Sequence, residues 1–216
     1  MSKIVIGTSN PGKIREIASI LSPLGYELQP EAFDVKEIGE TIQENAEIKG
    51  VEYSKLFPEQ YVIAEDSGLA IPKLGGLPGA YSARFHTCKV GEGYKIEYVP
   101  EENFSTDKTE TDRLNNEALI PWIEGLSFEE RGAYFEVCFV VAKDGKILFS
   151  TASRAEGYVI PELRGTNGFG YDPLFVGNDT FGNTYAELDS ARKNLRSHRK
   201  RAISDLAMWL TQNIES

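Results

Sequence analysis

The first 25 residues commit the chain to a strand that hands over directly to a helix. Lys3 to Gly7 carries the apolar run Ile4-Val5-Ile6, which reads as a buried strand. Asn10 then offers an N-cap, and Pro11 takes the first helical position, where a missing N–H is no loss. Ile14, Ile17, Ala18 and Leu21 recur at helical spacing, and Gly25 is a stop signal. Further along, Thr41-Ile42-Gln43-Glu44 is a capping box that opens a second helix, and Tyr61 to Ala64 reads as a short buried strand. Tyr134 to Lys143 is a strand, Asp144-Gly145 a hairpin turn, and Lys146 to Ser150 the antiparallel return. Arg199 to Gln212 closes as an amphipathic helix, with Ser197 as its cap. Mixed strands and helices with at least one hairpin predict an α/β fold with a mixed, twisted sheet and flanking helices.

A chain of 216 residues with 41% hydrophobic content is enough for one domain with a sizeable core. The apolar runs are too short to span a bilayer, and no leader pattern precedes the first strand. Two cysteines, Cys88 and Cys138, make neither a disulfide framework nor a zinc spacing. The expectation is a cytoplasmic protein without a membrane partner. Asp and Glu outnumber Lys and Arg by 33 to 23, a net charge of −10. That excess is unsuited to a nucleic-acid backbone, so no nucleic-acid partner is expected. Any phosphate site has to be a local cluster of donors and cations.

Five segments carry chemical signals. Gly7-Thr8-Ser9-Asn10-Pro11-Gly12-Lys13 places small residues and a lysine at a helix start, where outward N–H groups attract anions. It falls short of a P-loop, because Ile14 stands where Ser or Thr would hold magnesium and Pro11 removes a donor. A plain strand–turn–helix junction is the competing reading. Ala64-Glu65-Asp66-Ser67-Gly68-Leu69 ends an apolar strand in two acids. Neighbouring residues at a strand end point to opposite sides, so one carboxylate is expected to face a site and bind magnesium or take a proton from water. The alternative there is a solvated turn. Gly75 to Arg84, rich in glycine, specifies a particular loop path, and Arg84 either fixes it or meets a phosphate.

Gly165 to Pro173 flanks Phe169 with glycines, which leaves its ring faces open to stack on a nucleobase; Phe169 and Tyr171 as core anchors is the other reading. Asp189 to Arg201 holds six Lys or Arg and one acid, including Lys193 and Arg199, with His198 and Arg199 in the first turn of the last helix. Cations there oppose the helix dipole, which points to a task other than helix stability, although a solvated basic face is the ordinary alternative. Gly91 to Asp112 is polar, acidic and weakly periodic, and reads as a surface excursion or, alternatively, a lid.

Taken in order, these segments resemble the inosine-triphosphate pyrophosphatase family, the non-canonical purine NTP pyrophosphatases. The resemblance rests on Thr8-Ser9-Asn10 with Lys13, Glu44-Asn45-Ala46 with Lys49, Glu65 to Leu69, Leu77 to Arg84, Gly168 to Pro173, Ala186-Glu187-Leu188 and Ser197-His198-Arg199. It covers nearly the whole chain. It implies a single domain, 1–216, of two lobes around a central cleft, a homodimer, and magnesium-dependent hydrolysis of ITP, dITP and XTP to monophosphate and pyrophosphate. Carried over position by position, Thr8, Asn10, Lys13 and Lys49 hold the phosphates. Asp66 is the general base and a metal ligand, and Ser67 is a neighbouring substrate contact. Glu37 is the candidate second metal carboxylate. Phe169 stacks on the base with Gly170, Tyr171 and Asp172 beside it, while Lys193, His198 and Arg199 close over the base and its 6-oxo group. Ser9 and Gly50 depart from the residues common at their positions, and the stretch after His86 is longer than usual. A phosphate-releasing P-loop-like NTPase and a non-catalytic nucleotide sensor are the competing functions. The related septum-inhibition pyrophosphatases share a similar fold, but Gly168-Phe169-Gly170 and Ser197-His198-Arg199 favour the resemblance to the purine family.

Overall fold

The computed structural model describes residues 3–33, 35–98, 107–189, 192–193 and 198–214. Its strands are β1 (Lys3–Gly7), β2 (Glu27–Glu31), β3 (Tyr61–Ala70), β4 (Lys89–Val90), β5 (Ile96–Tyr98), β6 (Gly132–Lys143), β7 (Lys146–Val159) and β8 (Phe175–Gly177). Its longer helices are α1 (Pro11–Leu21), α2 (Ile42–Leu56), α3 (Lys108–Glu124) and α4 (His198–Asn213). Six strands form one mixed sheet in the order β2-β1-β3-β6-β7-β8, and β4 pairs with β5 in a separate antiparallel ribbon. β1 lies parallel to both β2 and β3, while β7 and β8 are antiparallel. The α/β class with a mixed sheet is therefore as the sequence predicts.

Three expected boundaries move. β3 does not end before its acids but runs on through Glu65, Asp66 and Ser67 to Ala70. β7 continues past Ser150 to Val159. The acidic excursion from Gly91 contains β5 and ends inside α3, whose N-cap Asp107 accepts hydrogen bonds from the N–H groups of Thr109 and Glu110. The expected cap at Ser197 and the middle of the excursion, 99–106, lie outside the described residues.

The chain divides into two compact units, each assembled from separate segments. The first comprises Met1–Ser67, Glu136–Arg154 and His198–Ser216. Its core obeys the two-residue period of a strand. Ile4 and Ile6 of β1, Ile63 of β3 and Phe139 and Val141 of β6 pack with Ile17 and Leu21 of α1 and Ile203, Leu206 and Leu210 of α4. The alternate residues of the same strands face the other way: Val5 and Val62 meet Tyr53, and Cys138, Val140 and Ala142 meet Ile42 and Ala46, all three on α2. Both faces are thus covered, which is why these strands read as continuous apolar runs. Gly50 lets α2 approach closely, since a Cβ there would lie 2.9 Å from Val140 Cγ1. Burial also pushes the Cys138 thiol up to about 12, so it packs as a small hydrophobe.

The second unit comprises Gly68–Phe135 and Ala155–Ser197. Leu69 from β3, Ile71 just after it, Leu119 and Ile123 from α3, and Tyr171, Leu174, Phe175 and Tyr185 form its core. Phe175 and Tyr185 meet edge to face at 5.0 Å between ring centres.

Candidate active site

In the first unit the helix start behaves as its sequence requires. The Asn10 side chain accepts from the N–H groups of Gly12 (2.9 Å) and Lys13 (3.3 Å), and the Asn10 N–H donates to the Thr8 hydroxyl at 3.2 Å. Two donors of the apparent phosphate cradle are therefore satisfied by the loop itself. Lys13 leaves the helix start to pair with the buried carboxylate of Glu65. One turn along α1, Glu16 pairs at 3.0 Å with Arg199 from the first turn of α4. Arg199 also donates to the Ser67 hydroxyl at 3.0 Å and lies 3.8 Å from Glu65. His198 is buried beside it in sequence.

The strand period sorts the acids. Glu65 shares a face with Ile63 and Ser67 and meets the cations of α1 and α4. Asp66 shares a face with Val62 and meets Lys49 of α2 at 3.0 Å. The acids turn to opposite sides as expected, and the solvated-turn alternative is corrected here: both are buried in β3, and each finds cations on its own side. Lys49 spends its three donors on Asp66, on Glu37 at 2.9 Å and on the Glu65 carbonyl at 3.4 Å. Glu37 is held in place by the start of α2. The Asn45 side chain accepts from the Gly39 N–H at 2.8 Å, and Glu44 accepts from the N–H groups of Glu40 and Thr41. Gly39 is fixed by space, because a Cβ there would come within 2.8 Å of Asn45 Oδ1.

Charge accounting explains the behaviour of the two neighbours. Among the described residues, Lys13, Lys49 and Arg199 face Glu16, Glu37, Glu65 and Asp66, three cations against four carboxylates. Burial works to raise Glu65, but Lys13, Arg199 and Lys49 outweigh it and hold its carboxyl below the usual range. Asp66 bears the surplus. Burial raises its pKa, Lys49 opposes, Glu37 adds repulsion, and the carboxyl is pushed up to about 6. Burial would lower Lys49, yet Asp66, Glu37 and Glu65 prevail and keep its ammonium charged.

In the second unit the segment from Gly168 to Asp172 is a tight turn with glycines at positive φ, Gly168 at 80° and Gly170 at 63°. The sequence left Phe169 open as a stacking residue or, with Tyr171, a core anchor, and the two side chains differ in burial. Tyr171 is buried in the core with its hydroxyl donating to the Ser82 carbonyl at 2.9 Å. Phe169 is half-buried, with the Lys193 ammonium 4.6 Å from its ring centre. Asp172 accepts from the Phe169 N–H at 2.8 Å and pairs with Lys193. The Arg84 guanidinium lies 5.5 Å from the ring centre of Tyr81 in its own loop.

The predicted residues thus fall into two groups. Thr8, Asn10, Lys13, Glu37, Lys49, Asp66, Ser67, His198 and Arg199 belong to the first unit. Phe169, Gly170, Tyr171, Asp172 and Lys193 belong to the second. Sequence reading passed over Glu16 and left Glu65 without a role. The only early signal for Glu16 is its place three residues after Lys13, on the same helix face.

The matches to known proteins agree with this geometry. The model of the Ham1 family matches residues 4–209. A dITP/XTP pyrophosphatase of Bacillus licheniformis is 38% identical over 98% of this chain and 100% of its own, and that of Bacillus subtilis is 36% identical over 97% and 98%. Among solved structures, a HAM1 protein from Coxiella burnetii superposes with a TM-score of 0.78 at 28% identity, covering 98% of this chain and all of its own. A nucleoside-triphosphatase / dITP/XTP pyrophosphatase from Mycobacterium abscessus gives 0.69 at 31% identity, over 94% of this chain and 98% of its own. With buried acids and lysines at the motif positions and a family match across nearly its full length, the chain belongs to the Ham1 family.

Proposed function

We infer that this protein is a nucleoside triphosphate pyrophosphatase that hydrolyses non-canonical purine nucleotides, dITP, ITP and XTP, to the monophosphate and pyrophosphate. The observation that carries the reading is the Lys49 ammonium gripping Asp66 and Glu37 beside the Lys13–Glu65 pair, in a chain whose full-length relatives are dITP/XTP pyrophosphatases. The triphosphate draws Lys13 and Lys49 from their carboxylates, with Thr8 and Asn10 adding polar contacts at the start of α1. Asp66 takes a proton from a water at its carboxylate oxygen. The water oxygen bonds to the α-phosphorus as the bond to the β-phosphate bridging oxygen breaks, and pyrophosphate leaves with its charge balanced by the lysines.

The donor set fits a hard divalent cation. All the donors are oxygens, and among the described residues carboxylates exceed cations by one. That combination suits magnesium, which keeps waters and substrate phosphate oxygens in its shell. Asp66 and Glu37 would hold it, and it would supply charge neutralisation on the phosphates. At the other end of the nucleotide, Phe169 stacks on the purine, with Gly170, Tyr171 and Asp172 shaping the turn. Lys193, His198 and Arg199 offer donors to the 6-oxo group, which an adenine amine would not accept. Arg199 gives up Glu16 to do so.

Family resemblance supports two further parts of the proposal, a homodimer and a cytoplasmic location. No helix of the described residues is long and apolar enough to cross a membrane. Light scattering is expected to give twice the 24.0 kDa of the chain. The deciding experiment is a panel of nucleoside triphosphates with magnesium, with pyrophosphate and phosphate detected separately. Pyrophosphate from dITP, ITP and XTP is the expected result; phosphate release, or equal turnover of ATP, overturns the reading.

A further inference from the structure

Beside Phe169, the backbone of one residue, Gly170, is held at both its N–H and its carbonyl by side chains of α3. The Gly170 N–H donates to the Asp112 carboxylate at 2.8 Å, and the Gly170 carbonyl accepts from the Asn116 amide nitrogen at 2.8 Å. Asp112 and Asn116 stand four residues apart and so share one helix face. The Asn116 nitrogen also donates to the Asp112 carbonyl at 2.7 Å. Two carbonyls on one side fix which end of the amide faces the turn. Its own oxygen is buried and has no hydrogen-bond partner among the described residues. An unsatisfied buried acceptor is destabilising, a cost that an apolar side chain at the same place on the helix would avoid. Stability of α3 alone therefore does not account for Asn116.

We propose that Asp112 and Asn116 are positioning residues for purine recognition, locking the turn that presents Phe169. The proposal rests on the reading of Phe169 as the residue that stacks on the base. Phe169's own N–H is tied to Asp172, and the next peptide is tied to Asp112, so the backbone is held on both sides of the ring. Only the two side-chain torsions of Phe169 are left to order when a base arrives. Pre-paid backbone order is gained as affinity, and it leaves the chemical step untouched. The acidic stretch thereby acquires a function at its last residue: Asp112 is a charged acceptor for a backbone donor.

The test is steady-state kinetics on full-length variants with dITP and magnesium. Asp112→Ala and Asn116→Ala are expected to raise KM about tenfold, with kcat within about twofold, because ground-state and transition-state binding fall together. Asp112→Asn keeps an oxygen acceptor for the Gly170 N–H and is expected to restore KM to within about twofold of the wild type. Asn116→Asp, nearly the same shape, turns a carboxylate toward two carbonyls, and it replaces Asn116→Ala if that variant does not fold. Phe169→Ala runs alongside. If it raises KM while the α3 variants leave KM unchanged, or if Asp112→Asn is as impaired as Asp112→Ala, the clamp is wrong. If Phe169→Ala itself leaves KM unchanged, the stacking role beneath the proposal has failed, and the clamp with it.

Discussion

Each unit contains a buried aspartate gripped by a lysine, and the two pairs are built for different work. In the second unit Asp172 pairs with Lys193 and accepts from the Phe169 N–H. Among the described residues that pair is one charge against one, so it holds a shape. In the first unit Asp66 shares Lys49 with Glu37 in a group that, among the described residues, sets four carboxylates against three cations. Its carboxyl is pushed up to about 6, within reach of neutral pH, as a proton acceptor should be. A balanced ion pair locks a turn, whereas an unbalanced one is prepared for a cation, a proton or a phosphate. On this contrast, damage to the Asp66–Lys49 pair should appear in kcat and damage to the Asp172–Lys193 pair in KM.

The largest expected effect tests the first half. Asp66→Asn keeps the shape but removes the proton acceptor and a carboxylate ligand, and should lower kcat for dITP by about 10²-fold or more. Initial rates at saturating substrate check it; near-normal turnover would break the distinction between the units. Phe169→Ala tests the second half. Stacking on an aromatic ring is worth about 1–3 kcal/mol per base, so KM should rise at least fivefold or so while kcat is largely kept. A loss confined to kcat would instead join Phe169 to the chemistry.

Titration sharpens the contrast within the first unit itself. Asp66 has a folded pKa of about 6, above its ordinary 3.8. The folded state therefore binds the proton more tightly, and the stability this gives is complete below the ordinary value and lost as pH rises through about 6. Glu65 is lowered, so its contribution is present above the ordinary glutamate value and lost as pH falls through the folded one. Thermal midpoints of metal-free protein should show D66N gaining on the wild type between pH 5 and 7.5, on the order of a few degrees. E65Q should fall furthest behind at neutral pH and recover ground in acid. Parallel curves for the two variants would mean that the neighbours feel the same field.

What the sequence disclosed was local. Asn10 before Pro11, the Thr41–Glu44 box and the Asp144-Gly145 turn all formed as read, because a cap or a turn is settled by residues within a few positions. The course of β3 was not legible. Two adjacent acids look like the end of a strand until Lys13 and Arg199 on one face and Lys49 on the other are known to receive them. Those partners come from positions 13, 49 and 199, and no local pattern joins them. α3 was hidden for a related reason. Thr111, Asn115 and Asn116 are polar yet buried, so its inward face shows a weak apolar period. Resemblance to a family supplied the long-range grouping that periodicity could not, although it gave no hint of Glu16 or of the Gly170 clamp.

The smallest effect separates two glycines of one turn. Gly168 and Gly170 both sit in the left-handed region, where a side chain costs about 1–2 kcal/mol. Their surroundings differ. Nothing lies within 4 Å of a Cβ placed on Gly170, so Gly170→Ala pays only the conformational strain. A Cβ on Gly168 would strike the Asp172 carboxylate and come within 3.2 Å of the Lys193 ammonium, so Gly168→Ala must also displace the ion pair that holds Phe169. If the balanced pair exists to shape the turn, Gly168→Ala should raise KM for dITP several-fold more than Gly170→Ala, while thermal midpoints differ by about 4 °C or less. Equal KM values for the two variants would show that strain in the turn matters and that the Asp172–Lys193 pair does not shape it.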